Sequence, residues 1–332
     1  MIKPKEAIVS MTNRCNLRCE MCDIPKTDKY IDIPTKKVKE LIVDLRKIGC
    51  KSIVFAGGEP LIREDIFELI DEAKENNLKV CITSNGTLID QGAADKLGLL
   101  GVDVVNISID GKEKTHDALR GKGKYKKAIN ALELLRRNDV ETTIASIVCK
   151  QNYKELTQVL ELAKKYGVTS VRFQPFSYEF KKGHKDTKRF YVSKGKIEDV
   201  AEKVKEAIDL ANKYYININP KSYMEQIPMI VCDKVRPTPD KNCRALYDTI
   251  SITNTGDAVA CFPMARMSLG NINEERFTKI WRSEDYKEIR SIVKKGGCSG
   301  CLMSCYDENF ETSVSGLKTK FGRVKNAVSR LF

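Results

Sequence analysis

The chain has 332 residues, with 58 Lys and Arg against 45 Asp and Glu, giving a formal net charge of +13 at pH 7. A chain of this length buries a large core, and one large domain with a smaller companion is expected. The opening MIKPKEAIVSM has no apolar run of signal type and no stretch approaches the length of a membrane span, so a spanning or exported protein is not expected and a cytoplasmic one is. From the N-terminus, short β-branched runs alternate with amphipathic helices. Strands are predicted over residues 7–11, 52–56, 79–83, 104–109, 142–148 and 170–174. Thr35 is placed to cap a helix whose apolar positions Val38, Leu41, Ile42, Leu45 and Ile48 share one face, with Gly49 at its end. A like pattern covers residues 153–166 and stops at Gly167. Six such βα units predict an α/β fold with a parallel sheet and helices outside it. In parallel βα architectures the functional loops gather at the C-terminal ends of the strands.

Twelve cysteines in a reducing compartment argue for metal rather than disulfides, and with only His116 and His184 in the chain, imidazole chemistry is not expected to carry the activity. Cys15, Cys19 and Cys22 form a CxxxCxxC run just after the first strand. Thiolates suit both zinc and iron–sulfur clusters. A closed zinc site takes four protein ligands, usually as paired CxxC knuckles, and no second knuckle follows before Cys50. The next three strands end in Gly57-Gly58-Glu59-Pro60, in Ser84-Asn85-Gly86 and, after Ser108, in Asp110-Gly111; a His116-to-Gly121 segment containing Arg120 comes next. Each of these alone is an ordinary turn. In this order behind CxxxCxxC they resemble the radical S-adenosylmethionine (radical SAM) enzymes, whose fold is an open, partial (β/α)6 TIM-like barrel.

The resemblance implies a 4Fe-4S cluster on Cys15, Cys19 and Cys22, with S-adenosyl-L-methionine bound at the iron they leave open. It further implies that Gly57, Gly58, Glu59 and Pro60 meet the methionine ammonium end, that Ser84, Asn85 and Asp110 serve the ribose or carboxylate, and that Ser108 and Arg120 touch carboxylate or ribose. Met21 stands where an aromatic residue is common in the family, and its thioether can pack on the adenine. Reductive cleavage to a 5′-deoxyadenosyl radical and hydrogen abstraction from a substrate would follow, with a reductant such as flavodoxin or ferredoxin. No residue is assigned as catalytic acid or base: in sulfatase-maturing relatives an acid follows the auxiliary cysteine, and here Phe262 follows Cys261.

A second cysteine group lies toward the C-terminus. Twelve residues separate Cys243 from Gly256 and four separate Gly256 from Cys261; Cys298, Cys301 and Cys305 then form CxxCxxxC. This resembles a SPASM or Twitch extension and implies one auxiliary 4Fe-4S cluster on Cys243, Cys261 and members of the last group. Five candidates, or six with Cys232, exceed the four thiolates one cluster takes. Spacing alone also allows a zinc ribbon. Cys50, Cys81 and Cys149 read as small buried hydrophobes. The expected organisation is a core barrel over 1–220, a cysteine-rich auxiliary domain over 221–310 and a basic amphipathic tail over 311–332.

The substrate is the least legible part. Seven basic side chains against Asp186 between Lys181 and Lys196, beside Phe173, Phe176, Tyr178, Phe180, Phe190 and Tyr191, are either a solvated face or a rim for an anionic small molecule or lipid-linked substrate. The tail, with Val314, Leu317, Phe321, Val324, Val328 and Leu331 among lysines and arginines, can dock on the protein, meet a partner or lie on an anionic membrane surface. A peptide maturase of the same superfamily is the alternative, made less favoured by a first strand that begins near Ala7 with no leader-binding domain before it. A non-enzymatic iron–sulfur or zinc module is the third reading. The charge permits nucleic-acid binding, but no recognised module accompanies it and none is expected.

Overall fold

All six predicted strands form, with boundaries within a residue or two of the pattern. In the computed structural model, which describes residues 2–177, 186–233, 243, 245–265, 267–295 and 301–303, β1 (Glu6–Thr12), β2 (Ser52–Gly57), β3 (Lys79–Ser84), β4 (Val104–Ser108), β5 (Thr142–Val148) and β6 (Ser170–Pro175) lie side by side in chain order, each parallel to the next. The crossovers are α1 (Thr35–Lys47), α2 (Ile66–Glu75), α3 (Gln91–Leu99), the pair α4 (Glu113–Arg120) and α5 (Lys124–Arg137), and α6 (Leu156–Tyr166). Residues 153–155, expected as the first turn of α6, form a 3₁₀ turn instead.

α1 buries the face its spacing predicts, Val38, Leu41, Ile42 and Leu45. Thr35 is not its cap. Pro34 holds that position without a side-chain bond, and Thr35 Oγ1 donates to Asp65 Oδ2 at 2.6 Å, so the hydroxyl links α1 to the start of α2.

Alternation along the strands separates two environments. Val9, Ile53, Phe55, Val80, Ile82, Val105, Ile107, Ile144, Val171 and Phe173 face the helices and form the main core. On the concave face, Ile8, Val54, Cys81 and Val104 stand in register and close the floor at the strands' N-terminal ends. Further up the same face the residues turn small and polar, with Ser10, Ala56, Thr83, Asn106, Ser108, Ala145, Arg172 and Gln174. An apolar floor under a polar mouth leaves the C-terminal ends of the strands as the open, ligand-accepting end.

After β6 come α7 (Ile197–Tyr214), α8 (Lys221–Met224) and α9 (Ile227–Asp233). The cysteine-rich part then adds to the same sheet: β7 (Thr249–Ile252) pairs parallel with β1, and β8 (Asp257–Val259) and β9 (Ser268–Asn271) follow antiparallel, giving the order β6-β5-β4-β3-β2-β1-β7-β8-β9. It closes with α10 (Phe277–Ile280) and α11 (Glu284–Lys294). Arg276 secures this half to the first, its guanidinium giving Asp44 of α1 two bonds at 2.9 and 2.5 Å, while the Asp44 side chain is only 2 % exposed. No helix among the described residues is long and apolar enough to cross a membrane. The tail over 311–332, with Cys298, Cys305, Tyr178, Phe180 and His184, lies outside the described residues.

Candidate active site

The Cys15–Cys22 loop leaves the end of β1 and is fastened from three sides. Asn13 donates to Lys29 O at 3.0 Å and accepts from Ile31 N at 2.7 Å. Arg14 and Thr12 both bond Asp32. Glu20 N donates to Leu119 O of α4 at 2.9 Å, and Arg189 pairs with Glu20 from the far side.

Against this loop lies the end of β2. Gly58 N donates to Thr12 O and Glu59 N to Arg14 O, each at 2.8 Å, so two successive amides strap the β2 end to the residues that precede Cys15. The approach is closer than any side chain allows. A Cβ on Gly58 would stand 2.0 Å from Arg14 O, and one on Gly57, whose φ is +124°, would stand 2.4 Å from Thr12 O.

Glu59 does not face the cavity this creates. It is fully buried, with Oε1 accepting from Ser84 Oγ at 2.9 Å and Leu61 N at 3.2 Å and Oε2 from Asn85 N at 2.8 Å. Burial pushes its carboxyl up to about 7, against the hydrogen bonds that favour the charged form. Its work is to hold the Ser84-Asn85 turn. Asn85 Nδ2 then reaches Asn16 Oδ1 at 2.9 Å and lies 3.8 Å from Cys15 Sγ.

Asp110 plays the same part for α4. Fully buried, it accepts from Ile147 N at 2.8 Å and from Arg120 Nε at 2.5 Å. Burial opposes the charge on Arg120, but Asp110 and the nearby Cys19 and Cys22 sulfurs more than offset it and raise its pKa. His116 is 1 % exposed, accepts from Asp110 N at 3.3 Å and is pushed down to about 4 by burial, so it is a neutral structural side chain.

One cavity of about 210 Å³ collects the result. Cys15, Cys19, Cys22, Met21, Gly57, Gly58, Ser84, Asn85, Ser108 and Arg120 all line it. Of the residues expected around the cofactor, Glu59, Pro60 and Asp110 stand behind the lining rather than in it. The aromatics expected as an exposed rim are walls instead: Phe176, Phe190 and Tyr191 are buried, Phe176 stacks on Phe190 with centroids 4.7 Å apart, and all three pack with Leu17, Cys19 and Met21. Apolar rings gain more from burial against the loop than from facing water. Phe173 belongs to the main core, and Cys50, Cys81 and Cys149 are buried as expected.

The donor set fits an iron–sulfur cluster with one ligand position left over. Three soft thiols line one cavity together with Gly57 and Gly58, which have no side chains. Burial raises all three thiols, Cys15 to about 11, so ligation must release their protons. Among the described residues no three Cys, His, Asp or Glu side chains close on a point as they would around a single ion. A cubane, which gives each thiolate its own iron, does not require that. Cluster and sulfonium cofactor together supply one-electron reductive chemistry. Bound there, they would be enclosed by this chain's residues: Gly57, Gly58, Ser84 and Asn85 line the cavity, Arg120 would add a fixed positive charge, and Leu17, Phe176 and Ile147 would keep water out.

The auxiliary cysteines also come together as far as they are described. Cys243, Cys261 and Cys301 pack in one patch with Ala245 and Met303. Cys232 is buried in the main core. Sequence reasoning missed Arg172 and Gln174 on the concave face of β6, although alternation with Val171 and Phe173 was the signal for them. It also missed Tyr223 of α8, for which no local pattern exists.

Comparison with known proteins agrees with this arrangement. The radical SAM superfamily model matches residues 9–163, and the model of the SPASM iron-sulfur cluster-binding domain matches residues 243–309. The Fe-coproporphyrin III synthase of Methanosarcina barkeri (strain Fusaro / DSM 804) is 26 % identical over 84 % of this chain and 74 % of its own length. The mycofactocin maturase MftC of Mycolicibacterium smegmatis is 34 % identical over 48 % of this chain and 41 % of its own. In fold, the chain is similar to Streptococcus suis SuiB bound to S-adenosylmethionine, with a TM-score of 0.71 and 18 % identity over 92 % of this chain and 75 % of that one. The first domain carries with it a 4Fe-4S cluster and S-adenosylmethionine, and the second carries auxiliary iron–sulfur chemistry. By the CxxxCxxC cavity and the two domains that frame it, this chain is an enzyme of the radical SAM superfamily with a C-terminal SPASM domain.

Proposed function

We propose that the enzyme takes a hydrogen from a carboxylate-bearing small molecule and that Arg172 receives the carboxylate. The observation that carries this reading is the position of Arg172. It stands on the concave face of β6, in register with Ala145 and through it with Ser108, which lines the cofactor cavity; two residues on, Gln174 lines the cavity too. Burial pulls the guanidinium down to about 10, which still leaves it charged at neutral pH. A buried guanidinium on the face that carries Gln174 and Ser108 suits a carboxylate, which it matches with two parallel bonds.

One of the relatives that align over most of both chains, the Fe-coproporphyrin III synthase, has a porphyrin in its name, and porphyrins of that kind carry carboxylates. Iron coproporphyrin III and its methyl ester are therefore suitable probes of the class. Absorption titration should show the acid binding and the ester binding at least about tenfold more weakly, with Arg172→Ala losing a similar factor for the acid, as expected for one charge-assisted pair of about 1.5–3 kcal/mol. S-adenosylmethionine affinity, measured in parallel, tells a local loss from a general one. Equal binding of acid by wild type and Arg172→Ala would refute the assignment.

A peptide substrate is the second reading. It is favoured by the 34 % identity to MftC across the core and by the fold shared with SuiB, which has also been solved bound to its precursor peptide SuiA. Peptides with free and amidated C-termini in the same titration separate the two.

A further inference from the structure

The short segment Cys301–Met303 meets the barrel at the Leu302 carbonyl, and the Leu302 side chain packs against the main core. Gln174 Nε2 donates to Leu302 O at 2.5 Å. The Tyr223 hydroxyl stands 3.0 Å from the same oxygen and 3.1 Å from Gln174 Oε1, so its one proton serves either. Three groups thus form a closed triangle drawn from β6, α8 and the last cysteine group, with Gln174 and Leu302 128 positions apart in sequence and Tyr223 and Leu302 79 positions apart.

Two features make this triangle more than a local turn. Tyr223 is 1 % exposed, so its hydroxyl is held by protein groups, Leu302 O and Gln174 Oε1, rather than by water. Gln174 belongs to two places at once, since its side chain bonds the residue next to Cys301 while it also lines the cavity that holds Cys15, Cys19 and Cys22. Cys301 in turn packs with Cys261 and Cys243.

We propose that Gln174 and Tyr223 are positioning residues for the auxiliary cluster, holding the Cys301 segment in fixed register against β6 at the edge of the cofactor cavity. The thiols stay with Cys243, Cys261 and Cys301; the triangle decides where the Cys301 thiol sits relative to the other two and how close the auxiliary centre comes to the cavity. A hydrogen-bond donor turned onto the carbonyl beside a thiolate ligand also tunes that ligand's charge.

The test uses the full-length chain with Cys15, Cys19 and Cys22 replaced by Ala, so that the iron remaining belongs to the auxiliary site. In that background Tyr223→Phe removes only the hydroxyl, and Gln174→Glu keeps an acceptor for Tyr223 while placing a carboxylate oxygen against Leu302 O. Three quantities are read after anaerobic reconstitution: iron per chain, the electron paramagnetic resonance spectrum and midpoint potential of the reduced auxiliary cluster, and hydrogen exchange of amides 301–303. Both variants should show an altered spectrum and potential, with exchange at 301–303 faster by about tenfold, the equivalent of one lost hydrogen bond. A melting temperature that falls while spectrum, potential and iron content stay at parent values would show a purely structural role and overturn the proposal. So would parent behaviour in all three.

Discussion

Replacing Gly58 by Ala tests the cradle directly. The new Cβ would lie 2.0 Å from Arg14 O, 2.6 Å from Arg14 C and 3.1 Å from Asn13 C. All three are backbone atoms, so no side-chain rotation relieves the overlap, and the β2 end must move away from the cysteine loop. That separation breaks the bonds from Gly58 N to Thr12 O and from Glu59 N to Arg14 O, both 2.8 Å. Two such bonds are worth about 2 kcal/mol together, and overpacking adds about 1–3 kcal/mol, so a loss of about 3–5 kcal/mol is expected. For a chain of this size, with an unfolding entropy of about 0.7 kcal/mol/K, that corresponds to a fall in melting temperature of about 4–7 °C. The metal-free protein is melted by scanning calorimetry, and a second sample is reconstituted anaerobically for iron analysis and 5′-deoxyadenosine formation. The displaced loop should leave the N-terminal cluster unfilled, with on the order of four irons fewer per chain and cleavage of S-adenosylmethionine abolished. Gly195→Ala is the control, because nothing lies within 4 Å of its added Cβ. Were Gly58→Ala to melt within about 1 °C of wild type, a shift below 1 kcal/mol, and to load iron fully, the close approach of β2 to the cysteine loop would not be a constraint on the site.

Cys22→Ala should lose reductive cleavage, whereas Cys301→Ala should keep part of it and lose auxiliary iron; loss of cleavage in both, with the N-terminal cluster loaded, would argue against separate centres. Glu59 supplies a pH dependence: its carboxyl is raised from an ordinary 4.5 to about 7, so the stability of its protonated form is present below pH 4.5 and is lost as pH rises to 7, by about 3 kcal/mol in all. Glu59→Gln cannot ionise and should flatten that part of the stability curve, while turning an amide donor toward the Asn85, Ser84 or Leu61 donors; parallel curves for the two proteins in urea titrations at pH 5, 6 and 7 would rule the assignment out. Arg276→Ala should cost about 1–3 kcal/mol by leaving the buried Asp44 without its guanidinium partner, and a double-mutant cycle with Asp44→Ala should show a coupling above about 1 kcal/mol.

The sheet was legible because each strand of the first half is a short β-branched run between amphipathic helices, and a buried parallel strand has little freedom to look otherwise. The cluster loop, the glycine cradle, Ser84-Asn85 and Ser108 were readable because each occupies the end of a strand, and Arg120 because it ends the short helix α4 that follows β4. Glu59 and Asp110 were placed near the right ligands but one layer too far forward: a motif records which acid is needed, while only packing shows that its oxygens are consumed by Ser84, Asn85, Leu61, Ile147 and Arg120. Phe176, Phe190 and Tyr191 misled because a basic neighbourhood suggested exposure for rings that burial claims. Tyr223 and the pairing of β7 with β1 rest on contacts between residues far apart in the chain, which no local pattern reports.

The pairing of β7 with β1 bears on how the protein comes to exist. β1 leaves the ribosome well before β7, and Glu6, Ala7, Ile8 and Val9 find their partners at Thr249, Ile250, Ser251 and Ile252 only after β2 to β6 and their helices have been made. Until then β1 is an edge with a row of open backbone groups, beside a loop carrying three thiols. Joining strands so distant in sequence is a slow, late event. The nascent enzyme therefore passes through a stage in which the β1 edge that leads into its three-cysteine loop is uncovered, and the arrival of β7 is what ends that exposure.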